Sequence, residues 1–392
     1  MNQKKEPTLM NKGIAAMVVT HALIHAAGNM RSTIYPEIKR DFELTNLQVG
    51  VISAVPPLSQ ALFSIPAGWV SDRHGAKTVI ALSLGMAVLG ALLAGVSLNA
   101  WMFVASAVLL TLTSTFYQPP AHSYSARIAS PRDRSRAMGL LNAGGTFGIS
   151  LGPLSVSLLL SQGFGWRQVY LLWVVPILLG VVFLLLVRTD PRGDWNHQEL
   201  ESSDEEGPET LITREFLLYI ASRGVRMFGM SMFAPFLSLY LSEVRGWSVV
   251  QIGLMFGVSG VLGLVGSPLG GYLAARWGEK RWVVLSMALA AIFFISAFYI
   301  PGVYPFMALY LAYRLCGIMA MPGQAAITAR LSPPSQMGMG FALTFMPSSI
   351  TGVVAPVVGA WIAESYGYLS VFTVATVVMF VAVGVFSLAV EE

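Results

Sequence analysis

The sequence predicts an all-α membrane protein with twelve transmembrane helices, in two six-helix bundles related by a pseudo-two-fold axis. Three observations lead there. Of the 392 residues, 55% are apolar and only 11% are charged, against about 25% charged in soluble chains; the mean hydropathy is +0.66. Twelve apolar stretches each reach the length of about 20 residues that a helix needs to cross a hydrocarbon core of about 30 Å. The two halves of the chain also match each other at a constant offset of 203 residues. Together these exclude a disordered chain, a nucleic-acid-binding domain and an ordinary soluble enzyme. Cys316 is the one cysteine, so neither an internal disulfide nor a cysteine-based metal framework is available.

The spans run at 12–35, 45–69, 77–98, 101–124, 136–160 and 167–188, then at 213–241, 248–273, 281–301, 304–330, 336–361 and 367–390. The head, Met1 to Asn11, carries Lys4 and Lys5 without a small-residue cleavage site, so no cleavable signal peptide is expected. Between spans six and seven, Thr189 to Leu211 holds Asp194, Glu199, Glu201, Asp204, Glu205, Glu206 and Glu209, the composition of a solvated tether. The expected domains are an N-terminal bundle over 1–188, a flexible acidic cytoplasmic linker over 189–212 and a C-terminal bundle over 213–392. With the N-terminus inside, sixteen of the 24 lysines and arginines fall on inner segments and four on outer ones. Such a bias marks the cytoplasmic face, so both termini are expected in the cytoplasm of an integral plasma (inner) membrane protein. The basic pI of about 9.2 then reflects topology, and no nucleic-acid partner is expected.

At the 203-residue offset, Gln48 and Gly50 fall on Gln251 and Gly253, Gly68, Arg73, Gly75 and Lys77 on Gly271, Arg276, Gly278 and Lys280, Pro119 on Pro322, and Pro153 on Pro356. Two bundles of the same topology are a transporter design, with a site near the midplane between them. The segment Gly68-Trp69-Val70-Ser71-Asp72-Arg73-His74-Gly75-Ala76-Lys77, read as the loop after span two, resembles the G-x-x-x-D-R-x-G-x-[RK] signature of the major facilitator superfamily. Gly165-Trp166-Arg167-Gln168-Val169-Tyr170 before span six is similar to the family as well. The second copy of the signature lacks the acid, with Ala275 in its place. The resemblance implies the twelve-helix fold and a cytoplasmic gate of Gly68, Asp72, Arg73, Gly75 and Lys77 with Gly271, Arg276, Gly278 and Lys280. Locally, Gly75 permits the tight reversal into span three, while Asp72 can accept from basic groups and a helix start. In span five, Gly144, Gly148 and Gly152, followed by Pro153, form a smooth strip for close helix contact. The strip resembles an incomplete version of the antiporter motif of the family's drug exporters.

Ionisable residues inside a span are costly and point to function. No Asp or Glu falls near the middle of any span; the candidates are arginines and histidines. Span one carries His21, His25, Asn29, Arg31 and Tyr35 on one side of the helix, span seven Arg223 and Arg226, and span ten Arg314 and Gln324. Span four adds Thr111, Tyr117, Gln118 and His122. Unpaired arginines facing a cavity favour an anion, because a guanidinium grips a carboxylate or phosphate by two hydrogen bonds. The expected substrate site is therefore Arg226, Arg31, Arg314, Arg223, Asn29, Tyr35, Gln118, Tyr117 and Gln324. His21 and His25, with His122, are proton carriers, a metal pair or hydrogen-bonded packing; without carboxylates a metal site is not expected.

The expected function is alternating-access, proton-coupled secondary transport of a small organic anion, as symporter or antiporter. The alternative is a proton-driven exporter of multiple hydrophobic drugs, and a further one is a non-transporting receptor on the same fold. There is no nucleotide-binding loop. The expected partners are the lipid bilayer, a small molecule and protons, with no cofactor and a functional monomer.

Overall fold

A computed structural model describes residues 12–128, 134–187, 210–333 and 337–390. Fourteen helices and no strands occur among the described residues, and they form twelve segments long and apolar enough to cross a membrane. In the first half these are α1 (Lys12–Asn29) with α2 (Arg31–Asp41), α3 (Asn46–His74), α4 (Ala76–Gly95), α5 (Ala100–Ile128), α6 (Arg134–Ser161) and α7 (Trp166–Leu186). In the second half they are α8 (Arg214–Glu243), α9 (Val249–Trp277), α10 (Glu279–Tyr299), α11 (Val303–Met319) with α12 (Met321–Arg330), α13 (Met337–Tyr366) and α14 (Tyr368–Ala389). The predicted linker lies outside the described residues except for its last positions.

Two spans are broken rather than continuous. After α1, the Asn29 side chain donates to the His25 carbonyl (2.8 Å) and the Ser32 hydroxyl to the Asn29 carbonyl (2.9 Å). Side chains thus take carbonyls that the helix would otherwise use. After α11, Pro322 has no N–H to continue the ladder, and α12 starts afresh at Met321. The signature segment is not a loop. Residues 68–74 are the last turns of α3, and the reversal is confined to Gly75, whose φ of +78° suits a residue without Cβ. The repeat copy behaves alike, with α9 ending at Trp277 and Gly278 at φ +88°.

The chain divides into two compact units: 1–43, 59–193 and 245–260 in one, and 44–58, 194–244 and 261–392 in the other. The first halves of α3 and α9 therefore each belong to the unit opposite the half-chain that encodes them, a departure from the expected boundaries. Repeat-related residues explain both placements. Each helix opens with a reciprocal cap: Thr45 and Gln48 exchange backbone-to-side-chain bonds at 2.8 and 3.2 Å, as do Ser248 and Gln251 at 2.9 and 3.3 Å. Next, Gly50 lies so close to α13 that a Cβ there would stand 2.7 Å from the Pro356 carbonyl oxygen. Gly253 faces the Pro153 carbonyl oxygen of α6 at the same distance. In the first unit the Ser157 hydroxyl also donates to the Val250 carbonyl; in the second, Leu47 N–H donates to Glu364 Oε2 (3.0 Å).

Within the first unit, α6 lies flush along α1. A Cβ at Gly144 would stand 2.5 Å from the Val18 carbonyl oxygen, and one at Gly148 or Gly152 would collide with the carbonyl of Ala22 or Ala26. The glycine strip thus brings two backbones together, as expected from its spacing. The second unit fills its interior with aromatic rings instead, including Phe294, Phe298 and Phe372, the last two stacked at 3.9 Å. Large apolar side chains such as Leu89, Leu185 and Val265 remain on the outside, as a lipid-facing surface requires.

Candidate functional site

Three imidazoles meet in the first unit. His21, on α1, is buried beneath the strip: Gly145 of α6 leaves the room, since a Cβ there would stand 2.7 Å from the His21 ring. Its Nδ1 lies 2.7 Å from the Leu141 carbonyl oxygen, which only accepts, so Nδ1 carries the hydrogen. Its Nε2 lies 3.0 Å from His25 Nε2, one turn along the helix. The Gln118 amide nitrogen of α5 sits 3.3 Å from the first of these nitrogens and 3.1 Å from the second. One turn further, His122 Nδ1 donates to the Gln118 carbonyl (2.8 Å), and the His21 and His122 ring centres are 6.3 Å apart.

Tyr117 takes a different role from the one its sequence position implied. It is fully buried, its hydroxyl bonds Met17 O (2.9 Å) and Thr20 Oγ1 (2.7 Å), and its ring stacks on His21. It thus supports the His21 ring and presents no surface to a ligand. Tyr35 is buried also, and the Asn29 amide is engaged at the helix break. Arg31 reaches across to α5 and donates to Thr111 Oγ1 at 3.3 Å. Nearby, the buried Tyr170 hydroxyl, in the field of Arg31, has no hydrogen-bond partner among the described residues.

In the second unit Arg226, on α8, lies in electrostatic range of two further arginines, Arg223 on the same helix and Arg314 on α11. They are not equivalent. Arg223 donates to Gln324 Oε1 (2.9 Å) and the Thr344 carbonyl (3.3 Å) and lies over the Tyr219 ring. Gln324 is itself buried and spends its amide group on Arg223 and Met287, so this pair is structural. Arg226 rests against α11, where a Cβ on Gly317 would stand 3.6 Å from its Nη2. Arg314 bonds Tyr313, yet its buried Nε has no partner among the described residues. Among the described residues, no carboxylate pairs with Arg226 or Arg314.

Of the signature residues, the Asp72 side chain and the surroundings of Gly68 lie outside the described residues. Lys77 donates to the Val187 carbonyl (2.6 Å) and, at 3.4 Å, to that of Leu185, closing the C-terminus of α7. Arg73 lies over Trp69 at 4.3 Å, and Arg276 reaches the Tyr272 hydroxyl at 3.4 Å. A cavity of 530 Å³ occurs elsewhere, lined by Glu37, Arg40, Asp41 and residues 165–168. Its charges are paired, Arg167 with Asp41 (2.6 Å) and Arg40 with Glu37 (3.1 Å).

Sequence reasoning missed Leu141, Gly145, Tyr313 and Gly317. A backbone carbonyl has no sequence signal, but the doubled glycine at 144–145, facing a histidine-bearing helix, was a readable sign of a ring lodged there.

The family model described as Major Facilitator Superfamily matches residues 17–225 and 219–392. Among curated proteins, "Multidrug resistance protein MdtG" of Salmonella paratyphi A is 27% identical over 354 residues, covering 86% of this chain and 84% of the relative. Its counterpart in Citrobacter koseri is 28% identical over 355 residues, with the same coverage. Among solved structures, a bacterial homologue of the human lysosomal transporter Spinster, inward-facing and occupied, superposes with a TM-score of 0.81 at 17% identity over 96% of both chains. The human organic anion transporter MFSD10 does so with 0.70 at 15% identity, over 97% of this chain and all of that one.

Proposed function

Since the chain belongs to the Major Facilitator Superfamily, and so is a membrane transporter rather than an enzyme, we propose that it exports small organic anions with an apolar body in exchange for protons. The observation that carries this reading is the pair Arg226 and Arg314: two guanidinium groups held inside a membrane unit with no carboxylate partner among the described residues, one with a buried Nε unpartnered there. A buried charge left unpaired is costly, and a carboxylate ligand removes that cost while accepting several hydrogen bonds. Arg223 holds the neighbouring helices in place. His25 and His21 carry the proton, with His122 behind them. The export direction rests on the relatives named for multidrug resistance.

The gate is assigned to Asp72, Arg73, Gly75 and Lys77 with Gly271, Arg276, Gly278 and Lys280, on the cytoplasmic side where both termini lie. The protein works as a monomer in a plasma (inner) membrane. A second reading has a specific support: the same relatives, named for multidrug resistance, favour a proton-driven exporter of multiple drugs. Flux in proteoliposomes under an imposed pH gradient separates the two, with a matched set of 2-naphthoate, 2-naphthamide and 2-(aminomethyl)naphthalene. Selective naphthoate flux, lost in Arg226→Ala, is expected. Equal flux of the amine and the amide, indifferent to Arg226, would sink the anion reading.

A further inference from the structure

We propose that the His21–His25 pair is a one-proton carrier, loaded at His25 Nδ1, and that Gln118 is the residue that positions it. The proposal rests on the proton-coupled reading above and deepens it: it sets the number of protons the pair can hold.

The argument starts from the Leu141 carbonyl. Because it can only accept, His21 is held with its hydrogen on Nδ1, and Nε2 of the neutral ring is an acceptor. His25 Nε2 lies 3.0 Å from that acceptor, so in the neutral pair it carries a hydrogen and donates it. Of the four ring nitrogens, His25 Nδ1 alone has no hydrogen bond among the described residues. His25 is also the less buried of the two rings. An incoming proton therefore forms its N–H bond at His25 Nδ1. The Nε2–H···Nε2 bond is kept, and the new positive charge is shared across it.

A second proton has one place left, His21 Nε2, the atom that is accepting. Two N–H groups would then point at each other across 3.0 Å, each on a cation. The pair holds charge 0 or +1 and excludes +2 unless the rings separate. Separation is opposed on both sides: His21 is pinned between Leu141, Gly145 and the Tyr117 ring, and His25 sits one turn away on the same helix. Interacting sites this close titrate as one unit.

Gln118 senses the choice. Its amide end lies 3.3 Å from His21 Nε2 and 3.1 Å from His25 Nε2, completing a triangle of polar atoms. Each ring Nε2 has a single role, donor or acceptor, and an amide nitrogen only donates, so with His25 Nε2 donating to His21 the edge from Gln118 to His25 is satisfied only by the amide oxygen. The NH2 group suits two acceptor nitrogens, whereas a half-turn of the amide offers Oε1 to a donating His25 Nε2. Gln118 thus fixes which ring donates. The other ionisable groups facing the pair are few. The helix α5 adds Tyr117, His122 and the buried Tyr124; α7 adds Tyr170, with Arg167 at its start bound to Asp41; α4 adds Lys77, bound to α7; α2 adds Arg31, bound to Thr111; and α6 between Leu141 and Ser161 adds none. No carboxylate on the facing stretches of α4, α5, α6 or α7 stands ready to stabilise a second charge.

The test is the nitrogen NMR spectrum of 15N-imidazole-labelled full-length protein in lipid nanodiscs, titrated from about pH 8 to about pH 5, the range in which histidine changes charge. His25→Gln and His122→Gln assign the signals. One proton taken by the pair, with His21 Nδ1 protonated throughout, is expected; uptake of two protons, or of none, would overturn the proposal. In Gln118→Leu, and in Gln118→Asn should the first variant fold poorly, the proton affinity of His25 is expected to change at least about tenfold. An affinity within about twofold of the native value in the folded variant would remove Gln118 from the assignment. The titration uses no substrate. Absence of proton-driven naphthoate flux would therefore refute the transport reading without altering the proton count, and a wrong count would refute this proposal while leaving transport intact.

Discussion

Replacing Arg223 and Arg226 separately by methionine should move stability and transport in opposite ways, although the two residues are three apart on one helix. Methionine keeps most of the stem and removes the charge. At Arg223 the loss strands Gln324 Oε1, buried at 6% exposure, which accepts at 2.9 Å; the Thr344 carbonyl, which accepts from Arg223 at 3.3 Å, lies within α13 and keeps its helix. A buried acceptor left unsatisfied costs about 1–3 kcal/mol, so Arg223→Met should lose about 1–3 kcal/mol. Arg226 has no such acceptor among the described residues, and it feels the like charges of Arg223 and Arg314. Relief of each like-charge pair is worth on the order of 1–2 kcal/mol at an effective dielectric constant of about 20. Arg226→Met should therefore leave stability unchanged or raise it by that amount while abolishing naphthoate flux. The assay is thermal unfolding in detergent, read by a thiol-reactive fluorophore on Cys316, the one cysteine. At about 2–4 °C per kcal/mol, Arg223→Met should lower the midpoint by at least about 2 °C. If Arg226→Met lowers it equally, Arg226 is a structural arginine and the anion site loses its centre.

Three further outcomes follow from the first unit. In Gly148→Ala the new methyl meets the Ala22 backbone, which cannot yield as a side chain can, so the unfolding midpoint should fall by the equivalent of about 1–3 kcal/mol. Gly145→Ala meets the His21 ring at 2.7 Å instead; the protein should fold with a smaller stability loss than Gly148→Ala, and NMR should show the His21 Nδ1 hydrogen bond to Leu141 lengthened or broken. Gly75→Ala, at φ +78°, should cost about 1–2 kcal/mol through backbone strain, and an unchanged midpoint would show that the reversal relaxes.

The twelve spans were legible because crossing a bilayer demands length and apolarity, both local properties of sequence. The glycine strip was legible for a similar reason: its spacing of four places every small residue on one helix face. The division into units was not. Gly50 and Gly253 were visible as a repeat pair, but only the fold shows that each faces a proline carbonyl, Pro356 and Pro153 respectively, and so ties a half-helix to the unit opposite its half-chain. The signature segment misled through its polarity. Ser71, Asp72, Arg73 and His74 look like a loop, yet a helix emerging from the bilayer needs polar residues on its last turns, and the single Gly75 performs the reversal. In the candidate site, charge within a span singled out arginines without ranking them. Arg223 and Arg226 look alike in sequence; their difference lies in Gln324 and Thr344, contributed from elsewhere in the chain. Tyr117 and Gln324 were polar residues in membrane helices for a structural reason, each bonding its neighbours.

The repeat offset separates scaffold from chemistry. Positions that are equal across it do the same physical work in both halves: Gln48 and Gln251 cap helices, Gly50 and Gly253 admit a carbonyl, and Gly75 and Gly278 reverse the chain. Positions that carry charge or imidazole are unequal. His21 and His25 correspond to Gly224 and Phe228, Arg31 to Ala234, Arg226 to Leu23, and Arg314 to Thr111. Electrostatics gives a reason for the asymmetry. An imidazole takes up a proton less readily beside arginines, because like charges disfavour the charged form, and a protonated imidazole between an anion and its arginine would compete for the ligand. Two copies of one chemistry would place proton carrier and anion holder on the same element. Under the proposed function, divergence of the copies would let the first unit load a proton on His25 and the second an anion on Arg226 and Arg314. Transferring Arg226 to its repeat position, as Leu23→Arg, sets an arginine on α1 two residues from both histidines. That variant should lower the proton affinity of His25 at least about tenfold, read by the same nitrogen titration; an unchanged affinity would mean that separation of the charges is not what the asymmetry achieves.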